Sequence, residues 1–286
     1  MEATLLVELL TEELPPKSLE QLGQTFADQI INGLVRDQLK LRDFKGWRVF
    51  ATPRRLGVLI PEVLARAPDR ETEERGPSVN AAPAAIAGFA RKRGVSVETL
   101  EQQDTPKGKV VVARIKVPGA VLDTVLAKIV SDALKRLPSP KVMRWGDGEG
   151  EPFVRPAHGL VMLHGSRVVP GKVLGLESGN RTRGHRFMGR IEIVLTSAEE
   201  YETRLREDGC VIASFDSRRK EIKGALETEA KRQSADLGDH EDLLDEVAAL
   251  VEHPSVYVGE FDQAFLVVPQ ECLILTMRQN QKYFPL

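Results

Sequence analysis

The sequence predicts an α+β protein with mixed and antiparallel sheets, packed helices and two lobes. Three observations carry that expectation. Short apolar runs bounded by Gly and Pro recur along residues 4–64 and 152–176 and have the length of buried strands. Between them lie segments with apolar residues at three- and four-residue steps, the spacing of amphipathic helices. Near residue 196 the pattern switches from punctuated strands to acidic, capped helices. With 286 residues and 42% apolar content, the chain is long enough for a sizeable core and two domains.

Taken in order, TLLVELL (4–10) is a short apolar run with one acid and predicts a buried strand. TEELPPKSLEQLG turns at two prolines and opens a helix near Pro16. Its core stripe is Leu19, Leu22, Phe26, Ile30 and Leu34, one face of a 3.6-residue repeat. Residues 47–64, WRVFATPRRLGVLIPEVL, predict two strands around the tip TPRR. Pro53 lacks an N–H for a ladder bond, so the break falls there.

Residues 65–82 are charged and contain proline, and predict a linker or surface loop. PAAIAGFARKRGVSVETLEQ predicts a short helix stopped at Gly94. KGKVVVARIKV (107–117) predicts a strand, and residues 120–137 a helix burying Leu122, Leu126, Ile129, Val130, Ala133 and Leu137. FVRP, GLVMLHG and VVPGKVLGL then predict a sheet region with a hairpin turn at GSRV. Ser197 with Glu200 has capping-box spacing, and Ser214 opens a longer helix. DLLDEVAALVE predicts another, after which VYVGEF and CLILTM predict a return to strands. The expected division is residues 1–195, with a helical insertion near 65–105, and residues 196–286, cut short at the end on NQKYFPL.

Several function classes are disfavoured by composition. The net charge of −2 gives no global basic field, so any nucleic-acid contact must be local. Cys210 and Cys272 are far apart and lack ligand spacing, which fits a reducing, cytoplasmic setting. The start meets Glu8, Glu12 and Glu13 at once and does not read as a signal peptide. No run approaches the roughly 18–20 apolar residues of a membrane span.

Charge is unevenly placed. Between Phe153 and Arg190 stand Arg155, Arg167, Lys172, Arg181, Arg183, Arg186 and Arg190 against one acid, Glu177; residues 191–252 hold seventeen acids against eight bases. The densest part is ESGNRTRGHRF. Guanidinium forks match phosphate or carboxylate oxygens. The cluster therefore meets either an anionic partner or the acids that follow in the chain, and the second is favoured by their nearness. Strand alternation puts Arg181 and Arg183 on one face and Arg186 on the other.

ATPRRLG places Arg54 and Arg55 on a tight turn, so at least one is expected to reach solvent. In VMRWGDG, Arg144 beside Trp145 suits base stacking or a loop anchored by the Trp. His158 and His164 share a strand face with no acid between them, and DGEGE lacks calcium-loop spacing. HExxH, CxxC, GxSxG, GxxxxGK[ST] and GxGxxG are all absent from the sequence. No catalytic constellation and no metal site is expected from these residues.

Six long phrases in order carry a family resemblance: LLVELLTEELPPKSL, FATPRRLGVLI, KVMRWG followed by FVRPAHGLVMLHG, VLGLESGNRTRGHRF, DLLDEVAALVEHPSVYVGEFDQAFLVVP and TMRQNQKYFP. From Leu5 to Pro285 the chain resembles the bacterial glycyl-tRNA synthetase beta subunit. The resemblance implies the N-terminal part of a longer chain, with an HD-type and an anticodon-binding domain downstream. It implies an α2β2 ligase joining glycine to tRNA(Gly), with ATP and Mg at a class II site in the alpha subunit. The beta subunit would supply tRNA recognition and assembly; a purely structural module is the alternative. The fold is also similar, in this reading, to the editing-type domain of the phenylalanyl-tRNA synthetase beta chain. Arg54, Arg55, Arg144, Arg181, Arg183 and Arg186 are the candidate contacts to tRNA or to a partner. No cofactor is expected on this part of the chain.

Overall fold

The computed structural model describes residues 2–40, 45–106, 108–139, 142–145 and 152–286. The first elements are β1 (Glu2–Thr11), α1 (Leu19–Arg36), β2 (Arg48–Thr52) and β3 (Arg55–Leu64). Then come β4 (Arg70–Ser78), α2 (Pro83–Arg93), β5 (Glu101–Thr105), β6 (Gly108–Val117) and α3 (Leu122–Lys135). The sheet region holds β7 (Ala157–His164), β8 (Arg167–Val168), β9 (Lys172–Val173), β10 (Leu176–Gly179), β11 (Arg181–Thr182) and β12 (Ile193–Val194). The helices α4 (Tyr201–Glu207), α5 (Phe215–Gln233), α6 (Glu241–Ala248) and α7 (Gln270–Thr276) follow.

β1 lies inside a seven-stranded sheet of order β2-β3-β1-β7-β10-β9, with β8 paired to β7. Only the β10–β7 pair is parallel; the others are antiparallel. This is the mixed sheet expected of an α+β chain. A strand covered on both faces has no solvent side to alternate toward, which is why β1 reads as a near-continuous apolar run. On one face α1 approaches so closely that a side chain at Gly23 would meet the Ala51 Cβ at 2.8 Å. Leu19, Leu22, Phe26, Ile30 and Leu34 of α1 are fully buried, as their spacing predicts. On the other face Leu6, Phe50, Leu59, Val161 and Leu163 pack with Ile193, Leu195, Tyr201, Leu205 and Val211. The hairpin turn at GSRV is present, with His164 opposite Arg167.

The chain divides into two compact units, Met1–Ala65 with Leu122–Leu286, and Arg66–Val121. This differs from the expected division at residue 196: Tyr201 and Leu205 of α4, and Val211 after it, share the core just described. The second unit is a three-stranded antiparallel sheet of order β4-β6-β5 with α2, which Gly94 ends in the left-handed conformation at φ 69°. The expected linker over residues 65–82 is in large part strand β4. Its charges are ladder partners: Glu73 lies opposite Arg114 and bonds it at 3.2 Å. A strand stabilised by cross-strand charge pairs shows little apolar signal.

Two further differences concern caps and the C-terminal segment. Thr196, rather than Ser197, pairs with Glu200, its hydroxyl donating at 3.1 Å. Ser214 caps α5 as expected, accepting from the Ser217 N–H at 3.2 Å. VYVGEF is not a strand, and CLILTM lies largely in α7. Strand preference reports fit to a half-buried pleated surface, and many side chains of this segment are exposed. The DGEGE loop lies outside the described residues.

Candidate functional site

The two arginine-bearing turns meet at one place, in opposite roles. The TPRR tip joins β2 to β3, and Arg55 turns inward, 1% exposed. Its Nη1 donates to Glu8 Oε1 at 3.1 Å, its Nη2 to Glu252 Oε1 at 3.3 Å and to the Arg183 carbonyl at 3.0 Å, and its Nε to Thr52 Oγ1 at 3.2 Å. Glu8, fully buried in β1, also accepts from Tyr201 Oη at 2.6 Å and Thr182 Oγ1 at 3.0 Å. Glu252 accepts from Thr52 Oγ1 at 2.7 Å and from Arg54 Nη2 at 2.5 Å. Four strands, one helix and the segment after α6 are thereby tied to one set of charges.

Burial opposes ionisation here, but pairing outweighs it. The Arg55 guanidinium is desolvated, yet Glu252 and then Glu8 hold its pKa above the usual value. Glu252 is desolvated too, yet Arg55 and Arg54 pull its carboxyl down to about 2. Tyr201 is pushed well above its ordinary value by burial and by Glu8, so it stays a neutral donor. Arg218 of α5 has a different solution. Its fully buried guanidinium donates to the carbonyls of Ala248, Ile212 and Ala51 at 2.8, 2.7 and 2.8 Å. Burial without a carboxylate in hydrogen-bond contact brings its pKa down to about 10.

The second turn, residues 183–191, projects outward. Thr182 is buried between exposed Arg181 and Arg183, the alternation the sequence predicts. Arg181 pairs with Glu192, Arg186 with Glu12 at 3.2 Å and Arg190 with Asp208 at 3.6 Å. Two of these pairs use the acids that follow in the chain; the Arg186 pair uses an acid near the start. The Arg183 side chain has no ion-pair partner among the described residues. The glycines of this turn approach protein backbone: a Cβ at Gly189 would meet the Gly209 carbonyl oxygen at 2.0 Å.

Of the six candidate contacts, Arg55 is removed from solvent, and Arg54, the one of the pair that reaches it, is largely occupied by Glu252 with its side chain 17% exposed. Arg144 is exposed on a segment anchored by Trp145, whose Nε1 donates to the Phe153 carbonyl at 3.1 Å. Arg181, Arg183 and Arg186 are exposed together. His158 bonds Glu12 at 3.0 Å and His164 bonds the Val63 carbonyl at 2.7 Å. Among the described residues no three His, Cys, Asp or Glu side chains converge as a metal site, and no helix is long and apolar enough to cross a membrane.

Sequence reasoning missed Glu8, Tyr201, Arg218 and Glu252. The signal for Glu8 was present: a carboxylate inside a buried strand requires a cation or donors nearby. The signal for Glu252 was not, since its partners lie about two hundred residues away in the chain.

Comparison with known proteins agrees with the residue-level resemblance. Residues 5–286 match the family model described as glycyl-tRNA synthetase beta subunit. The glycine–tRNA ligase beta subunit of Aromatoleum aromaticum is 53% identical over 99% of this chain. Those of Neisseria meningitidis and Methylobacillus flagellatus are 47% and 44% identical, over 100% and 99% of the chain. The chain spans 42% of the length of the first two relatives and 43% of the third. A match of this extent and identity assigns the family: the chain belongs to the glycyl-tRNA synthetase beta subunits.

Proposed function

We propose that this chain is the part of a glycine–tRNA ligase beta subunit that supports tRNA recognition and subunit assembly, in the cytoplasm. ATP-dependent aminoacylation belongs to an alpha subunit partner. The observation that carries the reading is the family match along residues 5–286. The exposed group Arg181, Arg183 and Arg186 supports a local phosphate contact on an otherwise near-neutral molecule. ATP and magnesium belong to the partner's reaction, and no step of it is assigned to these residues.

The test is glycine-dependent ATP–pyrophosphate exchange. The assembled alpha and full-length beta subunits are expected to show it and to charge tRNA; this chain alone is expected to show none. Exchange by this chain alone would sink the reading. A second reading, an assembly module without tRNA contact, is favoured by the exposed Tyr257, Phe265, Leu266 and Val267. Salt-dependent tRNA binding separates the two, because phosphate contacts release counterions.

A further inference from the structure

The turn at residues 183–191 carries a feature that a basic contact does not require. Phe187, Met188 and Ile191 are 87%, 53% and 80% exposed. They stand on a backbone that is held firmly. The Gly184 and Arg190 N–H groups donate to the carbonyls of Arg190 and Asp208, each at 2.9 Å. The His185 N–H donates to the Gly209 carbonyl at 2.7 Å. His185 Nδ1 accepts from the N–H groups of both Phe187 and Met188 at 3.3 Å, and the Cys210 thiol donates to the Met188 carbonyl at 3.4 Å. Large apolar side chains on a pre-ordered turn contact a partner with little entropy lost on binding.

Charge indicates the partner. From residue 178 to 191 there is no acid, and Arg181, Arg183, Arg186 and Arg190 are interspersed with Phe187, Met188 and Ile191 along the chain. Arg183 has no ion-pair partner among the described residues. Arg181 and Arg186 are engaged only in exposed pairs, which contribute little in water, so a phosphate can displace the acids. An exposed aromatic ring on a turn that also carries exposed arginines suits a nucleotide, the base stacking on the ring and the phosphates meeting the arginines. A duplex fits poorly, since its bases are already stacked and the major groove of double-stranded RNA is too narrow to enter.

We propose that Phe187 is a stacking platform for an unpaired base of RNA, with Arg183 on the adjoining phosphate. This rests on the reading that the chain handles tRNA and adds which kind of nucleotide it takes and where. The test uses the assembled alpha and full-length beta subunits and labelled tRNA(Gly), with affinity measured across a salt series. Phe187→Ala is expected to weaken binding roughly tenfold with the salt slope unchanged, and Phe187→Trp to restore it. Arg183→Ala is expected to lower both affinity and slope, the slope by about one contact. If Phe187→Ala leaves affinity intact while Arg183→Ala lowers it, the stacking site is wrong and the basic-surface reading stands. If neither moves it, both fall. If Phe187→Ala instead releases the alpha subunit in sedimentation, the turn is a protein interface and the stacking site is overturned.

Discussion

The TPRR tip and the RTRGHR turn are both short, arginine-rich and placed next to strands, yet one is sealed in the core and the other stands in solvent. The difference lies in what each arginine finds. Arg55 finds two buried carboxylates, Glu8 and Glu252, two hydroxyl or carbonyl acceptors, and almost no water. Arg181 and Arg186 find single carboxylates that are themselves about half exposed. A buried pair need not stabilise more than apolar residues of the same shape, but removing one member leaves an uncompensated charge. An exposed pair can be broken at little cost. The same residue type therefore holds the fold at one turn and remains available for a partner at the other.

The comparison breaks most visibly at Arg55. Arg55→Ala leaves Glu8 and Glu252 facing each other without their shared cation and is expected to cost about 3–5 kcal/mol. Urea unfolding measures it; a loss below 1 kcal/mol would show that the carboxylates regain water or protonate freely.

Acidification tests the same cluster without mutation. Glu252 is held at about 2, below its ordinary 4.5. Above 4.5 it is ionised folded and unfolded, and its stabilisation is fully present. As pH falls from there toward 2 the unfolded chain takes up the proton first, and about 3 kcal/mol is expected to be lost. Glu241 is also held at about 2, by Lys223 and Arg219, but at a surface site where its side chain is about half exposed. Added salt should therefore erase its contribution and leave that of Glu252. An acid transition that salt abolishes entirely would contradict the burial of Glu252.

Tyr201→Phe sharpens the picture by removing one donor to Glu8 while keeping the ring against Phe50, 5.0 Å away. A loss of about 1–3 kcal/mol is expected; no change would mean that Thr182 and Arg55 suffice for Glu8. The smallest stability effects belong to the outer turn. Arg181→Ala and Arg183→Ala are expected to stay within about 0.5 kcal/mol of the parent. Each should lower the salt slope of tRNA binding by the assembled enzyme by about one contact. No change in either quantity would mean that these arginines are only solvated.

Legibility followed the range of the interaction. The stripe of α1, the break at Pro53, the turn at GSRV and the cap at Ser214 arise from neighbours within a few positions, and all are present. β4 was hidden because its pairing partner, β6, lies about forty residues away and its stabilising pairs are charges. CLILTM misled because a strand needs a partner edge, which periodicity cannot see. Of the candidate contacts, the alternation of Arg181 and Arg183 about Thr182 was readable from strand geometry. The fate of Arg55 was not, since Glu252 and Tyr201 enter from distant segments.

The amino-acid sequence by itself determined the family, the α+β class, the main amphipathic faces and the concentration of arginine near residue 185, because these follow from local spacing and residue order. Only the tertiary structure decided which arginines are buried and which face water. Desolvation depends on everything packed around a charge, and for Arg55 that environment comes from residues 8, 52, 183 and 252 at once.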